Sequence, residues 1–428
     1  MVQKKFMLQL HLWAALSLIA LSAYSCSEPA SPYGQTDITL TALDASCTEV
    51  WLELKFSNLT QPANVAIQMD GKDHLRLLSL NRDTFLVIED LEPSANYSFR
   101  AIIRYEGKDD KISNTVQVRT MDTTSHNFTW QTWTFGAGGP TAILYDGFIF
   151  DENNIWVTGH YYYNGDSHNA LQWNGVKWEE KRILYQTQQG FSFAQIRSLH
   201  PSTHDNIFFS NGTRWNGKRF ESIPPLNIDF PAHINKIWGT SPDNFYIAGD
   251  YGNLAQYRNG TWIKLNSGVN SDLQDIYGIW DKNNRYIIYG AATNSLSTTG
   301  EKKIFRLMAD NQLNYFEWPE SLDVTSVWGP SEMRLYAAGS GVHVYKNGWK
   351  LLPEIDYLYS ERIRGTGHNN IFAVGHLGLV AHFNGVSWKN YRIFGSGTAF
   401  YGLHVTEKMV VIAGYKNSLG FIALGKMY

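Results

Sequence analysis

Three carboxylates and three guanidiniums are the residues of this chain best suited to chemistry: Asp146, Asp275 and Glu361 as acids, and Arg197, Arg362 and Arg364 as anion holders. Glycoside cleavage generally sets two carboxylates across the scissile bond, and one large variant adds an arginine triad and a tyrosine nucleophile. Spacing along the chain pairs none of the three acids, and Arg362 and Arg364 share one short strand where a triad needs separate ones. His160 and His168 share a turn, and His368 and His376 flank a strand, but neither pair has a zinc or calcium ligand spacing. The expectation is therefore no catalytic residue, no metal and no cofactor. Recognition is better served. Tyr161, Tyr162, Tyr163 and Asp166 crowd one turn, and Tyr185, Phe191, Phe230, Tyr357, Tyr359 and Glu361 fall on links between repeats. Aromatic faces beside carboxylates suit a sugar ring or a protein surface, so these ten are the expected ligand-binding set.

The elements that must position them are repeated. An Asn- or Asp-rich turn followed by a short apolar run recurs seven times, as in Asn154-Ile-Trp-Val-Thr-Gly159, Asn244-Phe-Tyr-Ile-Ala-Gly249 and Asn370-Ile-Phe-Ala-Val-Gly375, at steps of 52, 38, 40, 50, 36 and 38 residues. A period near 40 marks stacked sheets. Each run has an apolar run before it and a third after it, and then often Asn-Gly, as at Asn174-Gly175, Asn216-Gly217, Asn259-Gly260, Asn347-Gly348 and Asn384-Gly385. Asn-Gly supplies the positive φ angles of a type I′ hairpin, so each unit is expected to hold four antiparallel strands. That is one blade of a propeller. The longer steps are assigned to insertions, including the Tyr-rich loop at 160–168 and the 291–301 loop.

The 428 residues are 43% hydrophobic and 14% aromatic, with a formal charge of −3, an ordinary globular composition that carries no clustered basic face for nucleic acid. At the N-terminus, Lys4-Lys5 precedes an apolar stretch and Ala23-Tyr-Ser-Cys26, the order of an export signal. Ala23-Tyr24-Ser25-Cys26 resembles the bacterial lipobox, with Ala23 where that family usually has Leu. The resemblance implies a lipoprotein-type signal peptide over 1–26 in which Cys26 becomes the lipidated first residue of the mature protein, a linker over 27–35, and attachment to the membrane through the lipid alone, at the outer membrane or cell surface. Cys47, the one remaining cysteine, is expected to be a small core residue.

Residues 36–122 read as short alternating strands. Leu91-Glu-Pro-Ser-Ala-Asn-Tyr97-Ser-Phe99, with Trp51 and Ser113-Asn-Thr-Val-Gln-Val-Arg-Thr120, resembles the fibronectin type III family, which implies a sandwich serving as a spacer. Ile237-Trp-Gly-Thr-Ser-Pro-Asp-Asn-Phe-Tyr-Ile-Ala-Gly249 resembles the blades of bacterial surface propellers, related in outline to Asp-box and photosystem-assembly-factor propellers. Ala248-Gly-Asp250-Tyr-Gly252 lacks the Ser and Trp of an Asp-box. The chain is thus expected to be all-β, with a seven-bladed β-propeller over 127–428. Its last repeat lacks a fourth strand, and Thr129–Phe135 is expected to supply it, leaving no free edge. The function expected is binding of a glycan or protein partner on the loop-rich face. The alternatives are a propeller enzyme, such as a glycoside hydrolase or polysaccharide lyase, and a structural envelope component.

Overall fold

The computed structural model describes residues 36–59, 61–104, 110–137, 139–223, 228–230, 233–281, 285–294, 300–308, 311–319 and 321–428. The expected leader, Cys26 and the linker lie outside these residues. The described chain is almost entirely strand and divides into two compact units.

The first unit comprises residues up to Ala42 with Trp51–Val87 and Asn96–Val118. One sheet orders Asp37–Ala45, Val50–Ser57 and Thr84–Ile88, and the other is built on Lys72–Leu80, Ala63–Met69, Asn96–Ile103 and Lys111–Ile112, with Val116–Arg119 also on Asn96–Ile103. Ile38, Leu40, Leu52, Leu54, Val65, Ile67, Phe99 and Ala101 are buried at alternating positions, as period-2 strands require. The Asn114 amide accepts from Leu40 N at 3.0 Å and donates to Leu40 O at 2.9 Å, tying the first strand to the segment that leads into the last.

The second unit holds seven four-stranded antiparallel sheets among the described residues. Sheets 1 to 6 cover 143–181, 199–222, 234–266, 273–316, 324–351 and 360–390. Sheet 7 joins Thr398–Val405, Met409–Lys416 and Leu419–Met427 to Phe128–Phe135, with Met427 opposite Phe128 and Gly420 opposite Phe135. The first strand of each sheet packs on the first strand of the next, and Thr398–Val405 packs on Ile143–Asp151, closing a circle. The second strands are buried on both faces, so they read as unbroken apolar runs. In sheet 3, Phe245 and Ile247 turn toward Phe208 of sheet 2, while Tyr246 and Ala248 pack with Ile276, Ile288 and Phe305 of sheet 4. Each such side chain contributes roughly 1.5–3 kcal/mol.

Two local expectations are corrected. The Asn-Gly turns fall into two kinds. At Asn259-Gly260 and Asn347-Gly348 both residues have positive φ, 48° and 84°, and 52° and 117°. At 174–175, 216–217 and 384–385 only the glycine does. There the turn is longer, with Trp173 opposite Trp178, Trp215 opposite Phe220 and Phe383 opposite Trp388. Its asparagine oxygen accepts two backbone N–H groups, at 3.0 and 3.0 Å for Asn174. The two residues after Asn-Gly decide the turn, and the side-chain cap replaces left-handed backbone.

The segment 160–168 is not an open loop. Tyr161 pairs with His168, Tyr162 with Ser167 and Tyr163 with Asp166, around Asn164-Gly165 at φ 49° and 84°. The long first step also holds an added hairpin, Leu184–Thr187 on Gly190–Phe193, between sheets 1 and 2. Of 291–301, residues 295–299 lie outside the described set.

Candidate functional site

Six of the seven first strands carry a bulge at one position, between Leu144 and Asp146, Ile234 and Lys236, Leu273 and Asp275, Val324 and Ser326, Ser360 and Arg362, and Phe400 and Gly402. A bulge leaves one residue unpaired and re-aims its side chain. In sheet 2 the matching residues are Arg197 and Ser198, whose backbone N–H groups both donate to Ser210 Oγ, at 2.8 and 3.1 Å. Three layers follow around the axis. The bulge residues form the layer nearest the loop-rich face: Tyr145, Arg197, Asn235, Gln274, Thr325, Glu361 and Tyr401. Below them is a belt of Asp146, Ser198, Lys236, Asp275, Ser326, Arg362 and Gly402. Phe148, His200, Trp238, Tyr277, Trp328, Arg364 and His404 form the layer toward the short first-to-second turns.

Hydrogen bonds and a ring contact tie parts of the upper layer together. Arg197 Nη1 donates to Asn235 Oδ1 at 2.7 Å and lies 3.5 Å from Asp250 Oδ1. With its amide oxygen turned toward Arg197, Gln195 accepts from Nε and Nη2 at 2.9 and 3.0 Å. Asn235 Nδ2 donates to Asp250 at 2.8 Å and to Leu273 O at 3.3 Å. Arg362 spans three sheets, donating to Tyr401 O at 3.2 Å and Gln274 O at 3.5 Å. Tyr401 lies 6.0 Å from the Tyr145 ring. His376 Nε2 meets Glu361 Oε1 at 2.8 Å. Asp250 and His376 begin equivalent second-to-third turns, whose next residues, Tyr251 and Leu377, hold left-handed backbone at φ 58° and 54° with exposed side chains. That conformation is costly for non-glycine residues and sets two apolar tips beside the polar mouth. Burial raises the Tyr401 phenol, with Glu361 adding to it, and raises Tyr145 against the pull of Arg197. Both are neutral hydrogen-bonding groups at neutral pH rather than nucleophiles.

The belt closes the tunnel beneath. Asp146 binds Lys236 Nζ at 2.7 Å and Ser198 Oγ at 3.0 Å. Asp275, fully buried, binds Arg364 Nη2 at 2.6 Å, Arg362 Nη1 at 3.0 Å and Ser326 Oγ at 2.6 Å. Burial alone would raise the Asp275 carboxyl, but Arg364 and then Arg362 outweigh it and the pKa is lowered. It stays ionised and cannot act as a general acid at neutral pH.

The expected binding residues divide. Tyr359 and Glu361 reach the mouth: the Tyr359 ring is 5.1 Å from His376, and its hydroxyl donates to Asp323 at 3.2 Å. Tyr185 lines a pocket of 440 Å³ with Gln195, Arg197, Asn211 and His233, which runs into the mouth. Tyr161 is 1% exposed, donates its hydroxyl to Ala170 O at 3.0 Å and belongs to the core of sheets 1 and 7. Tyr162 bonds its own turn at Gly165 O, and Asp166 pairs with Arg182 at 2.5 Å. Tyr163 and Phe191 are exposed on hairpins, 40% and 73%. Phe230 packs with sheet 3 beside Gly249, and Tyr357 is exposed beside Gly341. The chain does not bring these together at the mouth. Tyr145, Asn235, Gln274 and Tyr401 were not singled out by sequence reasoning, and Asp250 and His376 were met only in the Asp-box comparison and in a rejected metal pair. The signal for the strand residues was the position just before the belt residue, at one place in every repeat. Only the aligned repeats expose it.

No protein-family model matches the chain, and no curated protein matches it. Among solved structures, the chain is similar to "YCF48 bound to D1 peptide", at 14% identity, covering 72% of this chain and 100% of that one, with a TM-score of 0.51. It is also similar to the WD40 β-propeller domain of Doa1, at 11% identity, 69% and 96% coverage, and a TM-score of 0.48. With the closed ring of four-stranded sheets, the first likeness shows the fold of the second unit to be a β-propeller.

Proposed function

We propose that this chain is an exported binding protein whose seven-bladed propeller, over 127–428, recognises a protein partner at its loop-rich mouth. In this reading the unit before it is a fibronectin type III-like spacer over 36–122, and Cys26 anchors the protein to the bacterial envelope. The observation that carries it is the polar upper layer. Six blades and two turns hold guanidinium, amide, carboxylate, imidazole and phenol groups on the ring, with the exposed side chains of Tyr251 and Leu377 at its rim. Such preorganised groups suit an extended polypeptide, whose amides and side chains alternate in polarity. The neighbouring propeller with a bound peptide agrees with this use of the fold. A glycan is the second ligand class, because Tyr185 flanks the pocket beside Arg197.

Peptide and glycan arrays probed with the protein test the proposal. Binding to peptides that falls at least about tenfold in Arg197→Ala and Tyr251→Ala supports it, since one charge-assisted bond or one interface anchor is worth that much. Binding to glycans alone replaces the partner class. Turnover of any array ligand overturns the binding reading in favour of an enzyme.

A further inference from the structure

The belt and the layer beneath it carry unequal charge. Lys236, Arg362 and Arg364 face only two carboxylates, Asp146 and Asp275. Above them Arg197 faces Asp250, and Glu361 bonds His376. Within the belt and the layer beneath it, three cationic side chains thus share two carboxylates, where Lys236 is 12% and Arg364 9% exposed. An unbalanced buried charge is expensive.

Beside these cations lies a cavity of 220 Å³, lined by Lys236, Arg364, His200, Tyr277, His404 and the carboxylate of Asp146, which Lys236 holds at 2.7 Å. It lies among the lower-layer residues, away from the bonded mouth. Its walls hold hydrogen-bond donors. His404 Nδ1 accepts from Ile149 N at 3.2 Å, so the ring proton sits on Nε2. No partner is found among the described residues for His404 Nε2, for the His200 ring nitrogens or for the Tyr277 hydroxyl. Lys236 gives Asp146 one of its three protons. With about 30 Å³ per water, the cavity suits an anion of a few heavy atoms and no polymer.

We propose that this cavity is a binding site for a small oxyanion, phosphate or a small carboxylate, held by Lys236 and Arg364 and oriented by His404. It is independent of the mouth and of whatever partner the mouth takes. The bound anion completes the charge balance that Asp146 and Asp275 leave short.

Calorimetric titration of the protein with inorganic phosphate and, separately, with citrate, in a weakly coordinating buffer matched in ionic strength with chloride, tests this. One saturable site per chain is expected. Opposite effects of two variants identify it. Lys236→Met removes the surplus charge and should weaken binding at least about tenfold, whereas Asp146→Asn enlarges the surplus and should tighten it. A fold defect would weaken both, so weakening in both overturns the assignment, as does absence of a saturable site in the native protein. His404→Phe keeps the charges and the ring against Phe148, and should weaken binding by about three- to tenfold, the worth of one hydrogen bond. No change in that variant overturns the orienting role and the site as drawn. Preference between phosphate and citrate separates the two kinds of oxyanion.

Discussion

The belt repeats itself half-way round. Asp146, Ser198 and Lys236 stand on sheets 1 to 3, and Asp275, Ser326 and Arg362 stand at the same strand positions on sheets 4 to 6. In each half the serine donates to the carboxylate and accepts the backbone N–H of the next sheet, Ile237 in one and Ile363 in the other. The halves differ one layer down, where the first has Trp238 and the second has Arg364. Asp275 therefore neutralises two guanidiniums and Asp146 a single ammonium. One backbone position can build a tight ion cluster or a looser pair, and the layer below decides which.

Removing each carboxylate should widen that difference. Asp275→Asn strands two buried arginines that cannot lose a proton, and urea unfolding should show a loss of about 3–5 kcal/mol. Asp146→Asn strands only Lys236. Burial already lowers the pKa of that ammonium, with Asp146 pulling the other way, and one flexible ammonium is the lesser charge to strand, so the loss should be about 1–3 kcal/mol. Equal losses would show that the two halves are not energetically distinct.

The repeat, the four-strand unit and the apolar runs were legible because second strands buried on both faces leave a dense, periodic signal. The layers were not, because a bulge shifts register by one residue and period-2 counting then assigns the wrong side chains inward. Tyr161 shows the same limit from the other direction. A run of three tyrosines looks like a recognition surface, but the strand continues through it: Tyr161 is still within the core, while Tyr163, on the same face two residues on, has reached the exposed end of the hairpin. Tyr359, on the link before sheet 6, and Glu361, just inside its first strand, lie near the mouth because the chain enters each blade from that side.

Acid should act around the Asp146 half. In the lower layer His200 of sheet 2 stands where sheet 5 has Trp328, His404 stands on sheet 7 next to sheet 1, and burial pushes both imidazoles down to about 4. Lys236 adds to the depression, while Asp146 opposes it. A histidine neutral when folded but free to protonate when unfolded makes its full contribution above the unfolded value, near 6.5, and loses it as pH falls toward 4. The two together should account for about 3 kcal/mol between pH 7 and 4, less than their full shifts allow because both rings are partly open to the tunnel. His200→Phe with His404→Phe should flatten the urea-midpoint profile across that window. An unchanged slope would place the acid sensitivity elsewhere.

Gly402 occupies the seventh belt position, where a third set would begin. A Cβ there would meet Asp146 Cα at 2.7 Å and N at 2.9 Å, so the strands of sheets 7 and 1 approach too closely for a side chain. Gly402→Ala should cost about 2 kcal/mol by forcing backbone apart at the Asp146 half. A thermal-melt shift no larger than that of a surface alanine would mean the ring relaxes freely there.

The two serines give the smallest and sharpest contrast. Ser326 Oγ donates to Asp275 at 2.6 Å and accepts Arg364 Nη1 at 3.0 Å, so its loss leaves a buried carboxylate and a buried guanidinium each short of a bond. Ser198 Oγ donates to Asp146 at 3.0 Å, but that carboxylate oxygen keeps Lys236 at 2.7 Å and Leu199 N at 3.3 Å. Ser326→Ala should therefore cost about 2 kcal/mol and Ser198→Ala about 1 kcal/mol in urea unfolding. The ordering matters more than either value. If Ser198→Ala proves the costlier, the lysine half is the more tightly determined, and the extra arginine below Asp275 relieves that cluster rather than stiffening it.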